Sequence, residues 1–394
     1  MLHRLLTSIA LAICLAPAAL QAGPLPYTIV GTNQTQCYDN QSAIDPPQRG
    51  AAFYGQDAQH PQHEPSYKDN GDGTVTDLNT NLMWVQARGQ KMSWDDAVRG
   101  QSACRVGGYS DWRLPTIEEL YSLIEFTGTA SGAGQGGHPF IDTRYFQFVY
   151  GDTSRGERPI DCQDWSATQY VGKTMMFNDT VFGVNFADGR IKGYPKIDPR
   201  TRAPHMLYAR YVRGNPAYGV NSFADNGDGT VTDRATGLMW QKSDSGSGMN
   251  WRDALAYAQK LTLAGHTDWR LPSVKELQSI VDYTRAPMVT KSAAIDPIFN
   301  VTTIESYFWS STTHLDGPPD RQCTAAAYVA FGRALGYMQM PPQSGNYRLM
   351  DVHGAGAQRS DPKEGDPAWY PYGRGPQGDD IRIFNYVRCV REAT

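Results

Sequence analysis

The stretch DNGDGTVTDLNTNLMW at residues 69–84 returns at residues 225–240 as DNGDGTVTDRATGLMW, with 13 of 16 positions identical. Three further segments recur in the same order after each copy: MSWDDA or MNWRDA, a DWRLP segment, and a closing Tyr-x-Arg-x-Val-Arg. This pattern indicates a tandem duplication of one domain and not a solenoid of short units. We therefore divide the chain into a leader (1–22), an N-terminal extension (23–66), module 1 (67–216) and module 2 (217–394).

The first 22 residues have the pattern of a secretory signal peptide. One basic residue, Arg4, precedes an apolar run, and small residues follow up to Ala22. The run is shorter than the roughly 18 apolar residues of a membrane span, and no later segment approaches that length. We expect an exported protein without a transmembrane segment, located in the periplasm, at the cell surface or outside the cell.

The composition is that of a loop-rich and aromatic-rich globular protein. The 394 residues include 39 glycines, 25 prolines, 22 tyrosines and 9 tryptophans, and 19% are charged. The formal net charge of −4 becomes −5 once the leader with its single basic residue, Arg4, is removed. This balance argues against nucleic acid as a partner, because binding to a polyanion depends on an excess of lysine and arginine.

Each module begins with a predicted hairpin and a predicted helix. An Asp-Gly turn precedes the β-prone Thr-Val-Thr, and Leu-Met-Trp follows after a second turn, which is a hairpin pattern. Ser93 and Asn250 are predicted N-caps of the first helix. In module 1 this helix is expected to end near the glycines at 107–108.

A second helix is predicted after each DWRLP segment. Thr116 with Glu119, and Ser273 with Glu276, have the spacing of capping boxes. Later strands and the closing Tyr-x-Arg-x-Val-Arg strand are expected to form one small antiparallel sheet in each module.

The repeated DNGDGTVTD stretch has two interpretations, a calcium loop or a hairpin turn. An EF-hand would place Lys68 and Asn79 at positions one and twelve of the first copy, where that site requires carboxylates. Asn81 replaces Gly237 between the copies, and asparagine is a residue that tolerates positive φ. We favour the turn and expect no cofactor. Calcium of another geometry is the alternative, with Asp69, Asp72, Asp77, Asp225, Asp228 and Asp233 as candidate ligands.

The repeated arginines have structural and functional interpretations. Arg113 and Arg270 of the DWRLP segments are expected to pair with the aspartate of the same segment or with a helix carboxylate. The closing arginines are expected to be strand charges that face solvent, with a bound sulfate or carboxylate as the alternative. These are Arg210, Arg213, Arg388 and Arg391.

Long insertions distinguish the two modules and are the best candidates for binding. Residues 128–152 and 354–380 are rich in glycine, aromatic and charged residues. Binding residues are often found on such loops, and aromatic faces with polar groups suit a sugar ring. The candidate ligand-binding residues are Arg359, Asp361, Tyr370, Tyr372 and Arg374. The alternative is an ordinary ordered surface loop.

The sequence contains no recognisable catalytic motif. It has no G-x-S-x-G and no phosphate-binding glycine loop after a strand. We therefore expect a protein that is not an enzyme. The alternative is a secreted enzyme with a site in the 341–382 insertion, where His353, Arg359 and Asp361 are the polar candidates.

Five segments taken together resemble a known family, the collagen-like adhesin C-terminal (Lcl_C) domain. They are TGLMWQ (236–241), MNWRDA (249–254), DWRLPSVKEL (268–277), YFWSST (307–312) and the closing VRCVR (387–391). The resemblance covers most of both modules and is closer for module 2. The chain itself has no collagen repeat.

The resemblance implies a fold and a role. It implies an α+β fold with two tandem C-type-lectin-like or sulfatase-modifying-factor-like modules, each with two helices and a small antiparallel sheet. It also implies surface binding, because the family includes an adhesin domain that binds sulfated glycosaminoglycans. It brings no set of catalytic residues.

Five cysteines follow the leader, and in an exported protein we expect disulfides. Five cysteines allow fifteen connectivities with one thiol left over. Cys323 precedes a predicted sheet strand and Cys389 lies on the last strand, so we predict this pair first and Cys37 with Cys104 second. Cys162 would then be free.

The expected function is recognition of a glycan or another cell-surface or extracellular polymer through the long loops. Two modules on one chain could act together on one polymer. A structural component of the envelope or of an assembly is a further alternative. The sequence does not name the ligand or the oligomeric state.

Overall fold

A computed structural model describes residues 25–61, 63–130, 137–317, 320–375 and 377–393 of the chain. The predicted leader lies outside the described residues, as do residues 131–136 and 376 within the two long insertions. In every described sheet the paired strands are antiparallel.

The N-terminal extension has little regular structure and packs against both modules. It contains a hairpin of β1 (Cys37–Tyr38) and β2 (Ala43–Ile44) and a 3-10 turn at Asp57–Gln59. The Gly31 carbonyl accepts a hydrogen bond of 2.9 Å from Nζ of Lys275 in module 2. The next carbonyl, of Thr32, accepts one of 2.7 Å from the N–H of Phe126 in module 1.

Module 1 contains two sheets and two short helices. Its elements are β3 (Tyr67–Asp69), β4 (Thr74–Asp77), β5 (Leu82–Val85), α1 (Trp94–Gly100), α2 (Ile117–Ser122), β6 (Asp164–Gln169), β7 (Thr180–Asn185), β8 (Arg190–Pro195) and β9 (Val212–Gly214). One sheet has the order β3-β4-β5-β9, and the other has the order β6-β7-β8.

Module 2 repeats this arrangement and adds a helix and a hairpin. Its elements are β10 (Phe223–Asp225), β11 (Thr230–Asp233), β12 (Leu238–Gln241), α3 (Trp251–Lys260), α4 (Val274–Ser279), α5 (Pro287–Thr290), β13 (Tyr307–His314), β14 (Ala325–Ala330), β15 (Leu335–Gln339), β16 (Tyr347–Asp351), β17 (Gln358–Pro362) and β18 (Val390–Glu392). The sheets have the orders β10-β11-β12-β18, β13-β14-β17 and β15-β16.

The predicted fold of two lectin-like or sulfatase-modifying-factor-like modules, each with two helices and one small sheet, is wrong. The closing strands β9 and β18 pair with β5 and β12 of the N-terminal hairpins and not with the later strands. Module 1 therefore contains two separate sheets, and module 2 contains three. Module 2 has a third helix, α5, and strand predominates over helix in the described chain, which is α+β only in the broad sense.

Local signals in the sequence were more reliable than the predicted sheets. Ser93 and Asn250 accept hydrogen bonds from the third helical residue, as expected of N-caps. Both capping boxes are present, at Thr116 and Ser273. Helix α1 ends earlier than predicted, at Gly100, and 3-10 turns follow it.

The DNGDGTVTD stretches form turns that their own side chains hold in place. Asp69 accepts a hydrogen bond of 2.8 Å from the N–H of Gly71, and Asp72 accepts one of 3.0 Å from the N–H of Thr74. In the following turn Asn81 has a φ of 58°, and its counterpart Gly237 has a φ of 73°. The predicted exchange of asparagine for glycine at positive φ is therefore confirmed.

One hydrophobic core is continuous through both modules. It includes Trp84 and Leu120 of module 1 together with Trp240, Leu277 and Phe308 of module 2. Helices α2 and α4, which are counterparts in the repeat, contact each other within it. The duplicated modules therefore share apolar surface instead of folding as two separate globules.

The predicted disulfides Cys323–Cys389 and Cys37–Cys104 are wrong, because all five cysteines of the described chain are free thiols. Cys323 precedes β14, which pairs with β13 and β17, whereas Cys389 precedes β18 in a different sheet of module 2. Cys37 lies near Lys363 of module 2, whereas Cys104 lies near Tyr211 of module 1. The sequence did not show that these strands belong to different sheets.

Candidate functional site

The predicted binding loop of module 2 is anchored on the added hairpin β15–β16. The N–H of Tyr337 donates to the Gly378 carbonyl at 2.7 Å, and the N–H of Asp380 donates to the Leu335 carbonyl at 3.0 Å. Within the loop, Arg374 and Asp379 exchange backbone hydrogen bonds of 2.9 and 2.7 Å. Backbone contacts therefore fix the loop against a strand.

Exposed aromatic rings lie on the hairpin and on this loop. The rings of Tyr347 and Tyr372 are stacked, with centroids 4.1 Å apart and an interplanar angle of 19°. Their exposed fractions are 38% and 55%, and Trp369 on the same loop is 71% exposed. We call Tyr347, Trp369 and Tyr372 the aromatic surface.

Two local contacts position these rings. The hydroxyl of Tyr347 accepts a hydrogen bond of 2.8 Å from Nε2 of Gln339 on the opposite strand of the hairpin. The Trp369 ring lies against Gly365, where an added Cβ would be 3.0 Å from Cζ3 of the indole. Gly365 has a φ of 126°, so glycine provides both the space and the conformation.

The predicted ligand-binding residues fall into three groups by exposure. Tyr372 and Arg374 lie at the surface, and the Arg374 side chain is 39% exposed and 3.4 Å from Asp316. Tyr370 is half-buried. Arg359 and Asp361 on β17 are buried.

Asp361 has a structural role that its sequence position does not reveal. Its Oδ2 accepts hydrogen bonds of 3.1 Å from the N–H groups of Arg382 and Ile383, and one of 3.0 Å from Nδ2 of Asn385. Burial raises the pKa of this carboxyl to about 6. The side chain holds the segment that leads to β18.

Arg359 belongs to a group of buried charges that joins the modules, which we call the interface cluster. It contains Asp188, Arg190, Lys192, His314, Asp316, His353, Arg359 and Asp379. Arg190 of module 1 forms an ion pair with Asp316 of module 2 and donates to Ser360 at 2.9 Å. Arg359 forms an ion pair with Asp379, which also contacts Nε2 of His353 at 2.8 Å.

Burial and neighbouring cations keep the histidines of the interface cluster neutral. Burial, reinforced by the guanidinium of Arg359, lowers the pKa of His353 to about 4. His314 has its pKa lowered to about 4 by burial and by Arg190. His353 and Arg359 were candidates from the sequence, but the module 1 members were not, because the sequence of residues 181–194 indicates only strands.

The repeated arginines have structural contacts. Arg113 donates to both carboxylate oxygens of Glu119 at 2.5 Å, and Arg270 donates to both of Glu276 at 2.6 Å. The predicted pairing of these arginines with a helix carboxylate is confirmed. The aspartate of each DWRLP segment instead pairs with the last closing arginine, as in Asp268 with Arg391 at 2.8 Å.

The six candidate calcium ligands do not converge on a common point within either copy. Asp69 and Asp72 bind backbone N–H groups of their own turn, and Asp77 is buried and binds the N–H groups of Asn79 and Thr80. Asp225, Asp228 and Asp233 repeat this arrangement. Among the described residues, no three His, Cys, Asp or Glu side chains are grouped so that they could hold a metal ion.

A family model matches the chain twice, over residues 73–213 and 229–353. The family is described as the Lcl C-terminal domain, and the two matches together cover more than half of the chain. The chain belongs to this family. It contains two tandem copies of the domain, as the resemblance predicted. No match was found among curated proteins or among solved structures.

The Lcl C-terminal domain accounts for part of the aromatic surface. The second match includes the hairpin with Tyr347 but ends before Trp369 and Tyr372. The aromatic surface is thus built from the family domain and from the loop that follows the matched region.

In the described part of the chain, no helix has both the length and the apolar character needed to cross a membrane.

Proposed function

We propose that this protein is an exported binding protein that recognises a glycan, or another polymer of the cell surface, through the aromatic surface of module 2. The observation that carries the proposal is the exposed and stacked pair Tyr347–Tyr372, together with the exposed Trp369 three positions before Tyr372 in the same loop. Large exposed aromatic groups often mark binding sites, because leaving them in water is unfavourable. Their flat faces suit the C–H face of a sugar ring.

The rigidity of the support favours this function. The rings lie on a hydrogen-bonded hairpin and on a loop that is tied to it, so little side-chain or backbone freedom remains to be lost on binding. Arg374 adds a charged group two residues from Tyr372. A polar group next to aromatic faces can fix the orientation of a sugar through its hydroxyl groups.

The hairpin that carries Tyr347 is specific to module 2. In module 1, β7 leads to β8 through the short connection at 186–189, whereas in module 2 the β15–β16 hairpin separates β14 from β17. We therefore propose one aromatic site per chain and not two equivalent sites. Any avidity for a polymer would then require more than one chain.

Binding to an array of neutral, acidic and sulfated glycans, in calcium and in chelator, tests the proposal. For a glycan that binds, Tyr372→Ala and Trp369→Ala should each lower the affinity about tenfold, which corresponds to about 1.4 kcal/mol. Met288→Ala, which removes an exposed apolar side chain from α5, is the control and should bind normally. Absence of binding to every glycan, or equal affinity of all variants, would contradict the proposal.

A further inference from the structure

A cavity of about 340 Å³ lies beside Leu25, the first described residue of the chain. It separates the N-terminal extension from strands β12 and β18 of module 2, and the strand partners Leu238 and Glu392 both line it. The cavity shares no residue with the aromatic surface. It therefore lies where a chain shortened by removal of its leader would begin.

Leu25 and the end of β18 lie against the same residue, Gly237. A Cβ added at Gly237 would be 3.3 Å from Cδ1 of Leu25, and the Gly237 carbonyl accepts a hydrogen bond of 2.8 Å from the N–H of Ala393. Two residues separate Leu25 from Ala22, where the leader is expected to end. Two residues span about 7 Å at most, so a chain that begins at Gly23 has its first nitrogen close to this end of the cavity.

Glu392 adds a negative charge to a lining whose other exposed charges are paired. Arg270 binds both oxygens of Glu276 at 2.6 Å, and Arg391 binds Asp268 at 2.8 and 3.1 Å. Glu392 lies 3.3 Å from Arg270, which it shares with Glu276, and its side chain is 65% exposed. An additional cation at this end of the cavity would therefore be attracted to Glu392.

The equivalent position in module 1 has no carboxylate. Gly214 pairs with Leu82 in the way that Glu392 pairs with Leu238. After Gly214 the chain continues directly into module 2. The negative charge is thus found in the copy against which Leu25 packs, and the copy without it has glycine at this position.

We propose that removal of the leader creates a cation that binds in this cavity. A signal peptidase catalyses the attack of water on the Ala22–Gly23 amide bond, so the leader leaves with a carboxylate and Gly23 gains an α-ammonium group. This ammonium pairs with Glu392, while Gly23 and Pro24 cover the cavity next to Leu25. The uncleaved chain has a neutral amide nitrogen here and does not form the pair. Cleavage therefore stabilises the folded chain.

Urea unfolding of two chains tests this inference, which rests on the proposed export of the protein but not on glycan binding. One chain begins at Gly23, and the other retains leader residues 17–22. At pH 7 the retained residues should raise the unfolding equilibrium constant about threefold, the size expected for an exposed ion pair. Glu392→Gln should have the same effect in the chain that begins at Gly23 and no further effect in the longer chain.

Glu364→Gln is the matched control for Glu392→Gln. It neutralises an exposed glutamate that does not line the cavity, and it should change the stability of both chains equally. Because no glycan is present in these measurements, failure of the proposed glycan site would leave their result unchanged.

The difference between the two chains should depend on pH as expected for a cation. The α-amino group has a pKa of about 8 in the unfolded chain, and the pair with Glu392 raises it in the folded chain. The stabilisation is thus present below pH 8 and is lost as the pH rises through the folded value, so the two chains should be equally stable at about pH 10. The other ionisable groups of the lining, which are Asp57, His60, His63 and the two ion pairs, are the same in both chains.

Three outcomes of the unfolding measurements would overturn the proposal. These are equal stability of the two chains at pH 7, a difference that persists at pH 10, and a difference that persists when both carry Glu392→Gln. Mass spectrometry of the protein exported with its own leader provides an independent test, because a first residue other than Gly23 would also overturn it.

Discussion

At the scale of single residues, two buried arginines have roles that neither sequence interpretation anticipated. Arg388 donates to the carbonyls of Gln241, Lys242 and Asn300 at 2.8, 2.5 and 2.7 Å. Its counterpart Arg210 makes the same kind of contact in module 1. The sequence predicted a charge facing solvent or a bound anion, whereas each guanidinium joins backbone segments inside the fold.

Replacement of Arg388 by methionine should lower the free energy of unfolding by about 3 kcal/mol or more. Methionine removes a donor from three carbonyl oxygens, and only that of Lys242 keeps another, the N–H of Asn300 at 2.9 Å. Each of the other two buried acceptors costs about 1–3 kcal/mol when it is left unpaired. Urea unfolding followed by tryptophan fluorescence measures the change. Arg252→Met, at an exposed position on α3, should change the value by less than about 0.5 kcal/mol. Similar stability of the two variants would contradict the structural role of Arg388.

At the scale of elements, the interface cluster connects β8, β17 and the loop that carries Tyr372. Lys192 pairs with Asp188 at 2.8 Å, while Arg359 and His353 both contact Asp379. Through Asp379 the cluster therefore fixes the loop that carries Tyr372. Its neutral histidines also make this support sensitive to acid.

The contribution of His353 to stability should fall as the pH decreases from about 6.5 to 4, and His353→Gln should remove this contribution. The pKa of His353 is about 4 in the folded state and about 6.5 in the unfolded state, so the unfolded state binds more protons in this interval. The favourable contribution is present above pH 6.5 and is lost below pH 4. At about 1.4 kcal/mol per pKa unit, the histidine contributes about 3 kcal/mol to this loss.

Urea unfolding at several pH values between 7 and 4 measures this contribution. The difference between the unmodified chain and His353→Gln isolates the histidine from carboxyls such as Asp361, whose raised pKa acts in the opposite direction. His138→Gln, at an exposed loop position, should follow the unmodified chain. Parallel profiles for all three proteins would show that His353 does not contribute.

The elements also show what the sequence could and could not predict. Turns and helix caps depend on residues within a few positions of one another, so Asn81, Ser93 and the capping boxes were predicted correctly. The pairing of β12 with β18 joins residues about 150 positions apart, and no local pattern encodes it. The single predicted sheet was wrong for this reason.

In the candidate site, too, groups that are close in sequence were predicted, and contacts between distant segments were not. The composition of the loop identified Tyr372 and Arg374 as surface groups. Tyr347 was missed because its ring reaches Tyr372 only through the folded hairpin, in which Gln339 pairs with Tyr347.

At the scale of the whole molecule, the modules and the extension are mutually dependent. The hydroxyl of Tyr121 in module 1 donates to Gln358 in module 2 at 3.1 Å, and Lys275 donates to the Ser122 carbonyl at 2.8 Å. These bonds lie beside the core that both modules share. Separation of the modules would expose that core to water.

Thermal unfolding should therefore occur in a single transition. Loss of either module removes the apolar surface on which the other is packed, so partly folded chains should not accumulate. Differential scanning calorimetry measures the number of transitions. Hydrogen exchange provides a second test, because Arg388→Met in module 2 should also reduce protection in β7 of module 1. Two resolved transitions, or unchanged protection in β7, would contradict this coupling.

The contact between α2 and α4 joins equivalent helices of the two repeated modules. Each helix meets its own counterpart, which is the arrangement that a two-fold axis creates between identical subunits. The described chain thus brings its two copies together within one polypeptide as a two-fold dimer would bring two subunits. In a homodimer every mutation appears on both sides of the axis, whereas fusion released the halves from this constraint. Glu118 in TIEEL and Lys275 in SVKEL, at equivalent positions, could then acquire opposite charges. One half carries the hairpin and its rings, and the other packs against it through the shared core.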